Sequence, residues 1–125
     1  MNDISGVSRL LFSAIMGSSE SVVVTDAREN DNPIIFVNPA FELLTGYANA
    51  EIVGRNCRFL QGKDRDQRAR KRIKGAVIMG EDIRVVIRNY RKDGTSFMNE
   101  LSISPVYDKQ GRPRYFVGVQ HQVQD

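Results

Sequence analysis

Ile83-Arg84-Val85-Val86-Ile87-Arg88-Asn89-Tyr90-Arg91-Lys92-Asp93-Gly94 reads as a strand running into a turn, and its alternation decides how the chain folds. Strand side chains point to opposite faces in turn, so Val85, Ile87 and Asn89 share one face, with Arg84 and Arg88 on the other. The first face is apolar and ends in a carboxamide. Two later segments repeat the pattern, with Asn99, Leu101 and Ile103 on one face and then Phe116, Gly118 and Gln120 on another. A buried amide without a partner costs about 1–3 kcal/mol. Three of them on one apolar wall therefore predict a hydrogen-bonding rail for the edge of a heterocycle, and Gly118 would let that ring lie close to the backbone. Turning the strands over would bury Arg84, Arg88 and Glu100 instead, at far greater cost.

Register follows from the turns. A two-residue hairpin centred on Lys109-Gln110 pairs Ile103 with Phe116, Leu101 with Gly118 and Asn99 with Gln120. Placing Asn89 on the same face requires a loop of odd length, for which the reading takes Asp93-Gly94-Thr95. Further upstream, Ser21–Asp26 and Ile34–Asn38 are rich in β-branched residues and form a hairpin around the polar loop Ala27–Pro33. Asn38 caps a helix that has Pro39 at its first position and Gly46 past its end. Asn49 caps a short helix over Ala50–Val53, with Glu51 in its first turn and Gly54 stopping it. Residues 1–17 read as a flanking amphipathic helix, since Val7, Leu10, Leu11, Ala14 and Ile15 follow one stripe. The expected organisation is this helix followed by a core over residues 18–125, an α+β domain with one antiparallel sheet.

Composition excludes several classes. A chain of 125 residues that is 41% hydrophobic and 26% charged suits one soluble domain with one core and room for one ligand. No apolar run approaches the ~20 residues of a membrane span, so no membrane contact is expected. No basic segment precedes an apolar stretch at the N-terminus, as a signal peptide would require. One cysteine forms no internal disulfide, which fits a cytoplasmic location. Net charge is +3, and seven of the twelve residues Lys63–Lys74 are Lys or Arg. Such a run is commonly a solvated helix face, and it lacks the aromatics that would stack on bases, so no nucleic acid is expected. His121, the sole histidine, alternates away from Gln120 and off the pocket face, which argues against haem; no metal site is expected.

The lone cysteine lies in Gly54-Arg55-Asn56-Cys57-Arg58-Phe59-Leu60-Gln61-Gly62. A helical turn there puts Cys57, Leu60 and Gln61 on one face: a sulfur, an apolar wall and an amide, suited to a flat polar aromatic ligand. Filler cysteines seldom sit between an asparagine and an arginine.

Asn56-Cys57-Arg58-Phe59-Leu60-Gln61 resembles the signature of LOV domains, the flavin-binding, blue-light-sensing branch of the PAS family. Asn38-Pro39-Ala40-Phe41, Leu44-Thr45-Gly46-Tyr47, Asn89-Tyr90-Arg91-Lys92-Asp93-Gly94, Asn99-Glu100-Leu101 and Gly118-Val119-Gln120 follow in the family's order. The likeness covers roughly residues 20–122 and implies a PAS fold, a five-stranded antiparallel sheet whose concave face is closed by short helices. It also implies a Glu51–Lys92 ion pair and bound FMN. Light would join Cys57 sulfur to flavin carbon C4a, reversibly, and Gln120 would relay the change at N5 by turning its amide.

On that resemblance, Gln61, Asn89, Asn99 and Gln120 read the ring's polar edge, with Thr25, Asn32 and Asn56 near the ring or ribityl chain. Arg58, Arg65, Arg70 and Lys74 stand where short bacterial members hold the phosphate, Lys74 replacing an arginine with a point charge. Val23, Leu60, Val77, Val85, Ile87, Leu101, Ile103 and Phe116 sandwich the ring. The expected partner is a second copy of the chain, through the flanking helix or the outer sheet face, and no enzymatic turnover is expected. The alternatives are a PAS module binding flavin or another ligand without photochemistry, a basic partner-binding domain and a redox flavoenzyme.

Overall fold

The structure, a computed structural model, describes residues 4–123. Helix α1 (Ile4–Gly17) precedes the hairpin β1 (Ser21–Asp26) and β2 (Ile34–Val37). Helices α2 (Pro39–Thr45) and α3 (Asn49–Ile52), a 3-10 turn (Cys57–Gln61) and α4 (Arg68–Met79) follow, and β3 (Ile83–Tyr90), β4 (Ser96–Tyr107) and β5 (Pro113–Val123) complete the chain. The five strands form one antiparallel sheet in the order β2-β1-β5-β4-β3, so the first and last strands pair at its centre. A core of Val23, Ile34, Val37, Phe41, Ile52 and Leu60 joins the β1–β2 end to α2, α3 and the 3-10 turn.

The sheet faces are as read from the alternation, while both register assignments shift by two residues. β4 and β5 pair Ile103 with Gly118, Leu101 with Gln120 and Asn99 with Gln122. β3 and β4 pair Asn89 with Phe97 and Ile87 with Asn99. The two hairpins share one loop type, and the second adds a bulge. Each closes through a three-residue loop, Lys92–Gly94 and Lys109–Gly111, with glycine third and in the left-handed region (φ +91° and +79°). A type I turn followed by a left-handed residue demands glycine in that place. The expected loops have Gly94 at the centre and exclude Gly111. The Asp108 carboxylate fastens the second loop by accepting from Gln110 N and Arg112 N, each at 2.9 Å. A bulge between Val106 and Tyr107 then restores the parity that keeps Ile103 and Gly118 on one face.

Asn38 caps α2, its side chain accepting from Phe41 N, with Gly46 left-handed at the far end. The cap of α3 is a correction: Ala48 takes that place, and Glu51 Oε2 accepts from Ala48 N at 2.8 Å. The Asn49 side chain instead accepts from Val37 N at 2.8 Å, tying the helix to β2. Glu51 also holds Lys92 at 2.5 Å, the expected ion pair. In α1 the stripe does not pack down as a unit: Leu10, Leu11 and Ala14 face solvent, and Ile15 is half-buried. The Val7 side chain lies outside the described residues. The helix touches the sheet through Phe12, whose ring meets Phe36 edge-on at 5.3 Å.

Candidate functional site

A cavity of about 600 Å³ lies between the concave sheet face and the helical segment, a size within the range of small-molecule sites. Alternation builds its sheet wall: Ile87 and Asn89 from β3, Asn99, Leu101 and Ile103 from β4, Phe116, Gly118 and Gln120 from β5, Val23 and Thr25 from β1. The 3-10 turn supplies Cys57, Arg58, Leu60 and Gln61, with Asn56 ahead of it, and Asn32 comes from the β1–β2 loop. Helix α4 contributes Arg70, Ile73, Lys74, Val77 and Ile78, a single i, i+3, i+4, i+7, i+8 stripe.

Two expected residues fall outside. Val85 is buried on β3, the strand against which α4 packs, and does not border the cavity. Arg65 is exposed, donates from Nε to Gly62 O at 3.0 Å and does not border the cavity. Ala27, Glu29, Asp31, Ile73 and Ile78 line the cavity without having been singled out. The stripe begun by Arg70 and Lys74 would have found Ile73 and Ile78. No sequence signal pointed to Asp31, because its role depends on where a loop crosses the mouth.

Asp31 and Asn32 are both left-handed (φ +68° and +49°), an uncommon pair for side-chain-bearing residues. The Arg58 guanidinium grips the Asp31 carboxylate with both ends, at 2.8 and 2.5 Å, and holds its carboxyl below the usual range. Asn56 Nδ2 donates to Asp31 O at 2.7 Å, while Asn56 Oδ1 caps the 3-10 turn by accepting from Arg58 N. Both neighbours of Cys57 are therefore fastened to one loop residue. Burial pushes the Cys57 thiol up to about 12, so at neutral pH the sulfur is protonated and is no ground-state nucleophile.

The amide rail is partly occupied from within. Asn99 Nδ2 donates to Asn89 Oδ1 at 2.9 Å, and Gln120 Oε1 accepts from Ser21 Oγ at 3.1 Å. Among the described residues, three other buried side-chain atoms have no partner: Thr25 Oγ1, Asn32 Oδ1 and Gln61 Oε1. All three residues face the cavity. Buried acceptors on an apolar wall of this size fit a ligand that brings its own donors. Among the described residues no cluster of His, Cys, Asp or Glu could hold a metal ion, and no helix is long and apolar enough to cross a membrane.

The PAS domain profile matches residues 19–125. A curated "Blue-light photoreceptor" of Listeria monocytogenes is 49% identical over 114 residues, covering 91% of this chain and 45% of the relative. The chain thus spans about half the length of that relative. The solved LOV domain of the Erythrobacter litoralis EL346 blue-light activated histidine kinase is 42% identical, with a TM-score of 0.79, over 85% of this chain and 97% of that one. A solved RNA-binding light-oxygen-voltage receptor superposes with a TM-score of 0.92 at 40% identity, over 98% of this chain and 34% of its own. The family implies a flavin chromophore, and the three unpartnered atoms, the apolar walls and the cationic mouth fit one. The chain belongs to the PAS family and, within it, to the LOV domains.

Proposed function

We propose that this chain is a blue-light photoreceptor domain that holds FMN and switches reversibly through Cys57. The observation that carries the reading is the Cys57 thiol in the wall of a cavity whose buried acceptors have no partner within the protein. When bound, the flavin supplies blue-light absorption and a ring carbon to which an excited-state reaction can join a thiol sulfur.

The chain's own residues do the rest. Val23, Leu60, Ile87, Leu101, Ile103 and Phe116 enclose the ring and exclude water. Asn89 and Asn99 arrive pre-oriented by their mutual bond, and Gln61 Oε1 waits unpaired for a donor on the ligand. Arg70 and Lys74, on one face of α4, meet the phosphate, and Arg58 joins them by exchanging Asp31 for it. Thr25, Asn32 and Asn56 border the ring and tail. Gln120, an amide with both donor and acceptor, answers a change in the ligand's hydrogen bonding by turning its side chain. The domain performs no turnover, and two copies associate through α1, whose Leu10 and Leu11 are 70% and 58% exposed.

The test is an absorption spectrum of the purified protein in darkness, after blue light and during recovery. A structured flavin band that bleaches and returns, with bleaching lost and colour kept in Cys57→Ala, supports the reading. A band that never bleaches would leave a flavin-binding module with an idle cysteine.

A further inference from the structure

Asn38 does more than cap a helix. A cap needs only an acceptor, which Ser, Thr or Asp supplies equally well. The Asn38 carboxamide is fully buried and bonds to three segments at once. Its Oδ1 accepts from Phe41 N in α2 at 3.1 Å and from Val22 N in β1 at 2.9 Å. Its Nδ2 donates to Glu20 O at 2.7 Å and to Ile15 O, in the last turn of α1, at 2.8 Å. Only a carboxamide offers an acceptor and two donors together; Ser and Thr have one donor, and ionised Asp has none.

The residue between Glu20 and Val22 is Ser21. Asn38 therefore grips the peptide groups on both sides of Ser21, and the same NH2 holds the end of α1. The Ser21 hydroxyl, buried, donates to Gln120 Oε1 at 3.1 Å in the cavity wall. A path thus runs from Gln120 by a hydrogen bond to the Ser21 side chain, through the Ser21 main chain to the flanking peptides held by Asn38, and from Asn38 to the last turn of α1. Among the described residues, α1 also meets the sheet through an edge contact of Phe12 on Phe36, while Leu10 and Leu11 are exposed.

We propose that Asn38 is a positioning residue that couples the Gln120 wall of the cavity to helix α1, so that the state of the pocket sets how firmly α1 is docked. The proposal rests on the photoreceptor reading, which supplies the turn of the Gln120 amide. That turn presents Nε2 where Oε1 stood, and the Ser21 hydroxyl must change from donor to acceptor. The new geometry displaces the Glu20–Val22 peptides, and Asn38 passes the displacement to Ile15 because one carboxamide cannot follow β1 and hold α1 unchanged. Coupling is read at the helix itself.

Hydrogen–deuterium exchange is measured on the full chain loaded with FMN, dark and under blue light, with bleaching recorded on the same sample. In the unmodified protein the amides of residues 10–17 exchange at least about five-fold faster in light, the low end of coupling between sites. Ser21→Ala keeps bleaching and keeps α1 protected in darkness, and loses the light–dark difference. Asn38→Ser keeps a cap without placing a charge in the core, and α1 then exchanges fast in both conditions. A purely structural role for these residues would leave the light–dark difference of Ser21→Ala intact, and that result would overturn the proposal. Bleaching with no change in α1 of the unmodified protein overturns the coupling alone. Absence of bleaching overturns the photoreceptor reading and the coupling with it.

Discussion

Asn99 Nδ2 donates to Asn89 Oδ1 at 2.9 Å although the two residues are not paired across the strands. The backbone sets Asn89 opposite Phe97 and Asn99 opposite Ile87, so the amides meet on the diagonal. Asn99 Oδ1 accepts from His121 N at 3.2 Å, and Asn89 Nδ2 donates to Arg88 O at 3.1 Å, which fixes both carboxamides before any ligand arrives.

That geometry couples two substitutions. Asn99→Leu strands Asn89 Oδ1, and Asn89→Leu strands Asn99 Nδ2. An orphaned buried group costs about 1–3 kcal/mol. Each single variant of the flavin-free protein should melt several degrees lower, and the double variant should lose less than the sum because neither orphan remains. Additive losses would mean that the diagonal bond contributes nothing.

Gly118 is required by packing as well as by any ligand. A Cβ built on it would lie 2.9 Å from Val23 Cγ1, on the neighbouring strand, and 3.4 Å from Gln120 Nε2. Gly118→Ala should therefore destabilise the fold by about 1–3 kcal/mol, as overpacking does. Adding Val23→Ala opens the space, so the double variant should lose less than the sum of the singles. Additive losses in denaturant titrations would refute the contact.

The Cys57 thiol gives a signature at alkaline pH. Its pKa is raised by burial from 9.0 to about 12, so the folded state keeps a proton that the unfolded chain has lost. Cys57 is half-buried in the cavity wall, and stability from this group is complete below about pH 9 and declines as pH rises toward about 12. Cys57→Ala removes that decline. The difference between the two stability profiles, measured by denaturation from pH 8 upward, should widen with pH in the variant's favour; parallel profiles would mean an exposed thiol.

If the cavity holds FMN as proposed, Asp31 should set how strongly it prefers the phosphate-bearing ligand. Its carboxylate occupies the Arg58 fork, and both side chains are about half exposed. Asp31→Asn keeps the size and the tolerance of left-handed backbone while removing the charge that competes for Arg58. Since exposed pairs contribute about 0.2–1 kcal/mol, the ratio of FMN to riboflavin affinity should rise on the order of two- to five-fold. An unchanged ratio in fluorescence titrations would mean that Arg58 never meets the phosphate.

Local chemistry carried much of this protein. The period of two in Val85-Ile87-Asn89 and its counterparts named the cavity wall, because a strand's faces are set by its own backbone whatever its partner. The cap signals around α2 and the Cys57–Gln61 turn were legible for the same reason: a cap or a turn is satisfied within a few residues. Tertiary structure decided what depends on two distant segments meeting. The position of Gly94 in its loop moved one register by two residues, the three-residue loop ending in Gly111 and the bulge at Val106/Tyr107 moved the other by one each, and a face pattern of period two is blind to a shift of two. Asp31 became a site residue only when its loop crossed the cavity mouth to Arg58, and Val85 dropped out because it lies beyond the cavity's edge on the strand that α4 packs against. Asn38 was readable as a cap, yet its hold on Ile15 and Glu20 exists only because α1, β1 and α2 converge on one buried carboxamide.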